Sequence, residues 1–259
     1  MPPNRDQQAG WRAGPAGWGI AEEAAVEIGF RGQPWTVMMA SPLELEDLAL
    51  GLAYTEGLIT PGADLPAVSL RRWPEGWSAD IGLDPDKLPS GGLRKRNLDG
   101  VTGCGLCGVE TLAEALRRPP GLDGRARITG QAIETAFEAL PPHQALNAAT
   151  RTVHAAAWCS PAGEIVLVRE DVGRHNALDK LAGALLRSNR LGEDGFIVMT
   201  SRCSFELVAK ASMTSAGVLA TLSAPTGMAI DLAGAAGLPL ACRGDGGGVV
   251  WFARGDDNA

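Results

Sequence analysis

Long hydrophobic runs are missing from this sequence, and so are a basic excess, a second close pair of metal-type ligands and all but one tyrosine. No apolar stretch approaches the roughly 20 residues of a membrane-crossing helix, so none is expected. The start, MPPNRDQQAG, lacks the basic-then-apolar pattern of a secretory signal, and the chain reads as cytoplasmic. A net charge of −7 and a single tyrosine speak against a nucleic-acid surface, whether phosphate-binding or base-stacking. Five cysteines, an odd number, fit a reducing compartment better than a disulfide framework. Three of them, Cys159, Cys203 and Cys242, are solitary, and His143, His154 and His175 are scattered. A four-ligand zinc site lacks its second half, and no resident metal is expected.

What is present is an ordinary globular composition, 45% apolar and 20% charged over 259 residues. Its most informative stretch is Thr102-Gly103-Cys104-Gly105-Leu106-Cys107-Gly108. Val109, Leu112, Ala113 and Leu116 follow at i, i+3, i+4 and i+7, which predicts a helix starting just past Cys107. A thiol at a helix N-terminus faces unpaired N–H groups and the positive dipole end, both of which favour thiolate. Arg94-Lys95-Arg96 adds positive potential if the loop folds back. Exposed, reactive sulfur is the leading reading; half a zinc knuckle and a pair of inert core thiols are the alternatives.

Three units are expected: a loose leader over 1–17, a small α+β domain over 18–118 ending in the thiol helix, and an α/β domain over 119–259. In the first domain, two strands surround an Arg31–Pro34 turn. Ser41-Pro42-Leu43-Glu44 reads as a capping box for a helix carrying Leu45, Leu48 and Leu52 and stopping near Gly57. A hairpin region is expected over 60–93. Beyond Thr129 the chain alternates helices with nearly continuous apolar strands, which predicts a three-layer sheet covered on both faces.

Ligands of such sheets collect at strand C-terminal ends. Three loops there carry an arginine: Glu170–Asn176 with Arg174 and His175, Thr200–Glu206 with Arg202, and Cys242–Gly248 with Arg243. Lys210 is expected near one face of the second. Arginines at two equivalent positions point to one shared anionic ligand. His154-Ala155-Ala156 has alanine where a zinc deaminase needs its glutamate, so deamination is disfavoured.

Taken in order, Pro42-x-x-x-Glu46-x-Leu48-Ala49-x-Gly51, Glu56-Gly57-Leu58-Ile59, Cys104-Gly105-Leu106-Cys107-Gly108, His154-Ala155-Ala156, the string Glu170–Lys180, Arg202-x-Ser204-x-Glu206-x-Val208-x-Lys210 and Ser223-Ala224-Pro225-Thr226 resemble the formate dehydrogenase accessory sulfurtransferase family, FdhD, also called NarQ. The resemblance implies a sulfur carrier that takes sulfur from a cysteine desulfurase as a persulfide. It implies delivery to a bis-molybdopterin guanine dinucleotide cofactor, held as cargo with no permanent cofactor, before that cofactor enters apo formate dehydrogenase. Cys104 matches the persulfide-bearing cysteine and Cys107 its neighbour. The family's cofactor loop maps onto Ala241, Cys242, Arg243, Gly244, Asp245 and Gly246. A cytidine-deaminase-like second half and a homodimer are implied as well. This sequence departs from the family at Ala241, where an aromatic is usual, and at Gly246–Gly248, where larger polar residues are usual. A cofactor chaperone that transfers nothing, and a dithiol oxidoreductase, are the competing functions.

Overall fold

The computed structural model describes residues 10–62, 64–89 and 126–253. The thiol loop with Cys104 and Cys107, and the expected boundary at 118–119, lie outside the described residues. The chain starts with an antiparallel pair, β1 (Trp11–Ala13) and β2 (Gly19–Ala21), so the stretch read as a loose leader contributes a strand. β3 (Ala24–Phe30) and β4 (Gln33–Ala40) are antiparallel and joined by Arg31-Gly32 alone, a tighter turn than expected. Both turn residues have positive φ, 44° and 77°, as a type I′ hairpin requires.

Helix α1 (Leu45–Thr55) has the apolar stripe expected of it but not the cap. Its N-cap is Glu44 in a left-handed conformation, with no side-chain cap hydrogen bond. Ser41 has other partners: its hydroxyl accepts from Val172 N–H and its own N–H donates to Asp171 Oδ2. The far end agrees with expectation. Gly57, at φ 74°, and Leu58 donate to the carbonyls of Tyr54 and Ala53, closing the helix with a left-handed glycine.

β5 (Val68–Trp73) and β6 (Gly76–Ile81) complete a four-stranded sheet of order β4-β3-β6-β5. Val26, Ile28, Phe30, Ala79 and Ile81 form one buried core with Leu45, Leu48 and Leu52 of α1. The other face carries an open groove of about 630 Å³.

The second half runs α2 (Gly130–Ala139), α3 (Ala145–Thr150), β7 (His154–Cys159), β8 (Ile165–Asp171), α4 (Arg174–Arg187), β9 (Phe196–Met199), α5 (Phe205–Ala211), β10 (Leu219–Thr221), α6 (Gly227–Ala236), β11 (Leu240–Arg243) and β12 (Val249–Ala253). Thr129 caps α2 through its hydroxyl, as its sequence position predicts. Six strands form a mixed sheet of order β12-β11-β10-β9-β7-β8. Alternate residues feed two cores: Trp158, Ile197 and Leu219 pack with Leu178, Leu181 and Leu207, whereas Cys159, Val198 and Ala220 pack with Ile133 and Phe137. A strand apolar on both sides is the continuous apolar run seen in the sequence.

The first and second halves meet where α1 crosses α4. A Cβ on Gly51 would lie 1.7 Å from the Asp179 carbonyl oxygen, and one on Gly183 would lie 1.9 Å from that of Asp47. Only glycine allows this approach. Around the crossing, Asp47 takes Arg169 Nε at 2.8 Å and Arg187 Nη1 at 2.7 Å. Asp171 and Lys180, both fully buried, pair at 2.7 Å, and Lys180 also donates to the Ser41 carbonyl.

Candidate functional site

β9, β10 and β11 are mutually parallel, and β7 is antiparallel to both β8 and β9. Hence β8, β9, β10 and β11 all end at one edge of the sheet, and β7 begins there. In register, His154 stands opposite Asp171. The loops that follow these strands therefore open on a common rim, which holds Arg174, His175, Arg202, Arg243, Gly244, Asp245 and Gly246.

The Glu170–Lys180 string divides into structural and chemical members. Glu170 accepts from Leu146 N–H and Asn147 N–H, both at 2.8 Å, and so caps α3 from outside. Asp171 does not cap α4: its Oδ1 accepts from Gly173 N–H and from the Asn176 amide, and its Oδ2 faces Lys180. Asn176 also donates to the Met39 carbonyl, pinning the loop to β4. Asp179 pairs with Lys210 at 2.9 Å and accepts from the Thr55 hydroxyl at 2.7 Å. Every carboxylate of the string is thus engaged inward. Arg174 and His175 are left for the rim, and the Arg174 Nε–H is buried with no hydrogen-bond partner.

His175 Nε2 lies 3.5 Å from the Ser204 hydroxyl and 3.8 Å from Glu206 Oε2. Burial first, then the Arg174 and Lys210 charges and His154, push its pKa down from 6.5 to about 3. His154 shifts the same way, by burial and by Arg174. Both imidazoles are therefore neutral at neutral pH, and the Glu206 contact is not an ion pair. Since the folded value lies below the unfolded one, His175 withholds a proton that the unfolded chain binds. Stability tied to His175 is complete above pH 6.5 and declines toward pH 3, by about 1.4 kcal/mol per pH unit inside that window. His175→Gln is expected to flatten this acid slope, which denaturant midpoints at stepped pH would measure; an unchanged slope would refute the assignment.

The remaining expected residues are placed as follows. Arg202 is exposed on the β9–α5 loop, and Arg243 is exposed at the end of β11. Gly244 and Gly248 close the last loop by a hydrogen bond, with Gly247 and Gly248 at positive φ. Ala241 faces inward, packed in the core that holds α2. Lys210 has its ammonium bound by Asp179, Thr55 and Glu56 between α1, α4 and α5, close enough to His175 for its charge to act there. Ser204 and Glu206 are the neighbours of His175 that spacing alone did not single out as a pair. They flank the first residue of α5, and the shared direction of β8 and β9, on either side of β7, brings them to α4.

None of the described thiols is poised as a nucleophile. Burial pushes Cys159 and Cys203 each up to about 12. Cys242 is raised by burial and by Asp245, and its thiol donates to the Arg243 carbonyl. Among the described residues, no cluster of three or more His, Cys, Asp or Glu side chains is placed to hold a metal ion.

A family model, that of the FdhD/NarQ family, matches residues 21–256. The chain belongs to the FdhD/NarQ family. Relatives of this family include the sulfur carrier protein FdhD of Xanthomonas campestris pv. campestris (strain B100), 46% identical over 92% of this chain and 82% of that protein. The sulfur carrier protein FdhD of Variovorax paradoxus (strain S110) is 42% identical over the same shares. A solved structure from Desulfotalea psychrophila, assigned as a formate dehydrogenase accessory protein, superposes with a TM-score of 0.68 at 21% identity, covering 95% of both chains. That likeness is one of fold: a mixed α/β chain with several sheets. No helix among the described residues is long and apolar enough to cross a membrane.

Proposed function

We propose that this FdhD/NarQ chain accepts sulfur from a cysteine desulfurase as a Cys104 persulfide. It then hands that sulfur to the molybdenum of a bis-molybdopterin guanine dinucleotide held as cargo at the rim, for use by formate dehydrogenase. The observation that carries the cargo half is the rim itself. Arg174, Arg202 and Arg243 lie along one sheet edge of a chain of net charge −7, while the carboxylates of the Glu170–Lys180 string are engaged inward. The buried, unpartnered Arg174 Nε–H is suited to donate to a phosphate oxygen. Gly244, Asp245 and Gly246 offer backbone to the guanine end, and His175, neutral, supplies a ring that donates or accepts without adding charge.

The sulfur half rests on the family match, which spans Cys104 and Cys107, and on the silence of the other thiols. In the loading step, Cys104 thiolate attacks the outer sulfur of the desulfurase persulfide. That S–S bond breaks, the donor cysteine leaves as thiolate, and Cys104-S-SH forms with no net oxidation. Attack by Cys107 on the Cys104 sulfur then expels hydrosulfide and leaves a Cys104–Cys107 disulfide, to be reset by a cellular dithiol. The strand order β8-β7-β9-β10-β11-β12 supports a cytidine-deaminase-like second half without a deaminase's proton shuttle. A smaller first domain, a homodimer and a cytoplasmic setting complete the reading.

The full chain incubated with a cysteine desulfurase and cysteine is expected to gain the mass of one sulfur, removable by dithiothreitol. It is also expected to bind GDP, as a stand-in for the cargo's nucleotide ends, with affinity reduced about tenfold or more in Arg174→Ala. A chain that gains no sulfur loses the carrier reading, and one whose GDP affinity ignores Arg174 loses the rim as its cargo site.

A further inference from the structure

The four-stranded sheet ends on β5, whose outer backbone edge pairs with nothing among the described residues. Free edges are normally blunted by proline, a bulge or a short length. β5 has six residues, no internal proline and an unbroken register with β6. Its surface is specific. Leu70 and Trp73 are 36% and 44% exposed. The Arg71 guanidinium sits 3.9 Å from the centre of the Trp73 ring, and that of Arg72 sits 5.7 Å from the Trp77 ring. Trp73 is held in turn by its indole N–H, which donates to the Ser78 hydroxyl at 3.0 Å. Among the described residues neither arginine has a carboxylate at ion-pair distance, so both charges are oriented by aromatic rings and left unneutralised.

We propose that β5 receives an extended acidic segment of a partner protein as an added strand. Neighbouring residues of a strand point to opposite faces, so Arg71 and Arg72 call for two consecutive acidic residues. Leu70 and Trp73 call for an apolar residue on either side. The pattern apolar-acidic-acidic-apolar reads the same in both directions and fits a parallel or an antiparallel addition. A second copy of this chain is the wrong occupant, because self-pairing at β5 sets arginine against arginine. The groove beside the strand is lined by Glu27, Glu75 and Asp80, which hold an acidic segment on the rim rather than across the sheet. Backbone pairing supplies the affinity and the arginines supply selection.

The test uses the full chain and fluorescently labelled acetyl-Thr-Val-Glu-Glu-Val-Thr-amide, read by anisotropy at low salt and then at rising salt. Saturable binding that weakens with salt is expected. It should fall about tenfold with an R71E/R72E double variant, and about tenfold when the two glutamates of the peptide become lysines. The lysine peptide should recover on that variant. Both arginines are exposed, and an unchanged melting curve would show the variant folded. Two further peptides, N-methylated on alternate amides, separate strand pairing from simple charge attraction: one of the two should lose binding and the other keep it. No saturable binding, binding indifferent to the charge reversal, or equal binding of both N-methylated peptides would overturn the proposal.

Discussion

Cys104→Ala is expected to abolish sulfur loading, whereas Cys159→Ala leaves it intact. The difference follows from ionisation. A thiol raised to about 12, as in Cys159 and Cys203, is thiolate in only about one molecule in 30,000 near pH 7.5. Persulfide exchange needs the thiolate, so the buried thiols are silent by four orders of magnitude or more. Cys104, flanked by Gly103 and Gly105 and followed by a predicted helix start, is expected to have the opposite local chemistry. Cys107→Ala separates loading from release: it should gain sulfur normally and retain it longer against a thiol-free acceptor. Intact mass after incubation with a desulfurase and cysteine reads all three variants. Sulfur on Cys104→Ala at the wild-type level would assign the persulfide elsewhere.

Gly183→Ala is expected to cost about 3 kcal/mol or more of folding stability, the upper range for overpacking. The new methyl would need to occupy space 1.9 Å from the Asp47 carbonyl oxygen, where backbone rather than a flexible side chain must yield. α1 and α4 must then separate, and the separation disturbs two charged clusters at once. Asp47 is held by Arg169 and Arg187, and Asp179 by Lys210. Gly51→Ala acts on the same crossing from the other helix, so the double variant should lose less than the sum of the two. Gly192→Ala, where nothing lies within 4 Å of the added carbon, serves as the neutral comparison. Denaturant melts measure all four, and a Gly183→Ala midpoint close to that of Gly192→Ala would refute the tight crossing.

Much of the strand and helix order was legible because β7, β9 and β10 are apolar on both sides. Phe196–Met199 is the plainest case, since its four apolar side chains feed both cores. Thr129 announces α2 by its hydroxyl three residues before Ala132. Ser41 misleads for a physical reason: the sequence shows a hydroxyl before a helix, but not that Val172 and Asp171, far along the chain, compete for it. Lys210 shows the same limit: its spacing puts it near one face of a loop, but does not show that Asp179 is folded beneath it. The rim arginines were readable from repeated strand-end loops. The pairing of His175 with Ser204 and Glu206 was not, because it depends on two helices starting side by side.

The Asp171–Lys180 pair has a consequence for how the molecule comes apart. Lys180 reaches from the middle of α4 to the Ser41 carbonyl, while Asp171 grips Ser41 N–H and shapes the turn that carries Arg174. Loosening the N-terminal sheet therefore takes the Ser41 partners from a fully buried ion pair and the Met39 anchor from the arginine turn in the same event. Unfolding of one half is felt at the other without a hinge between them, because the partners that hold the Arg174 turn come from both.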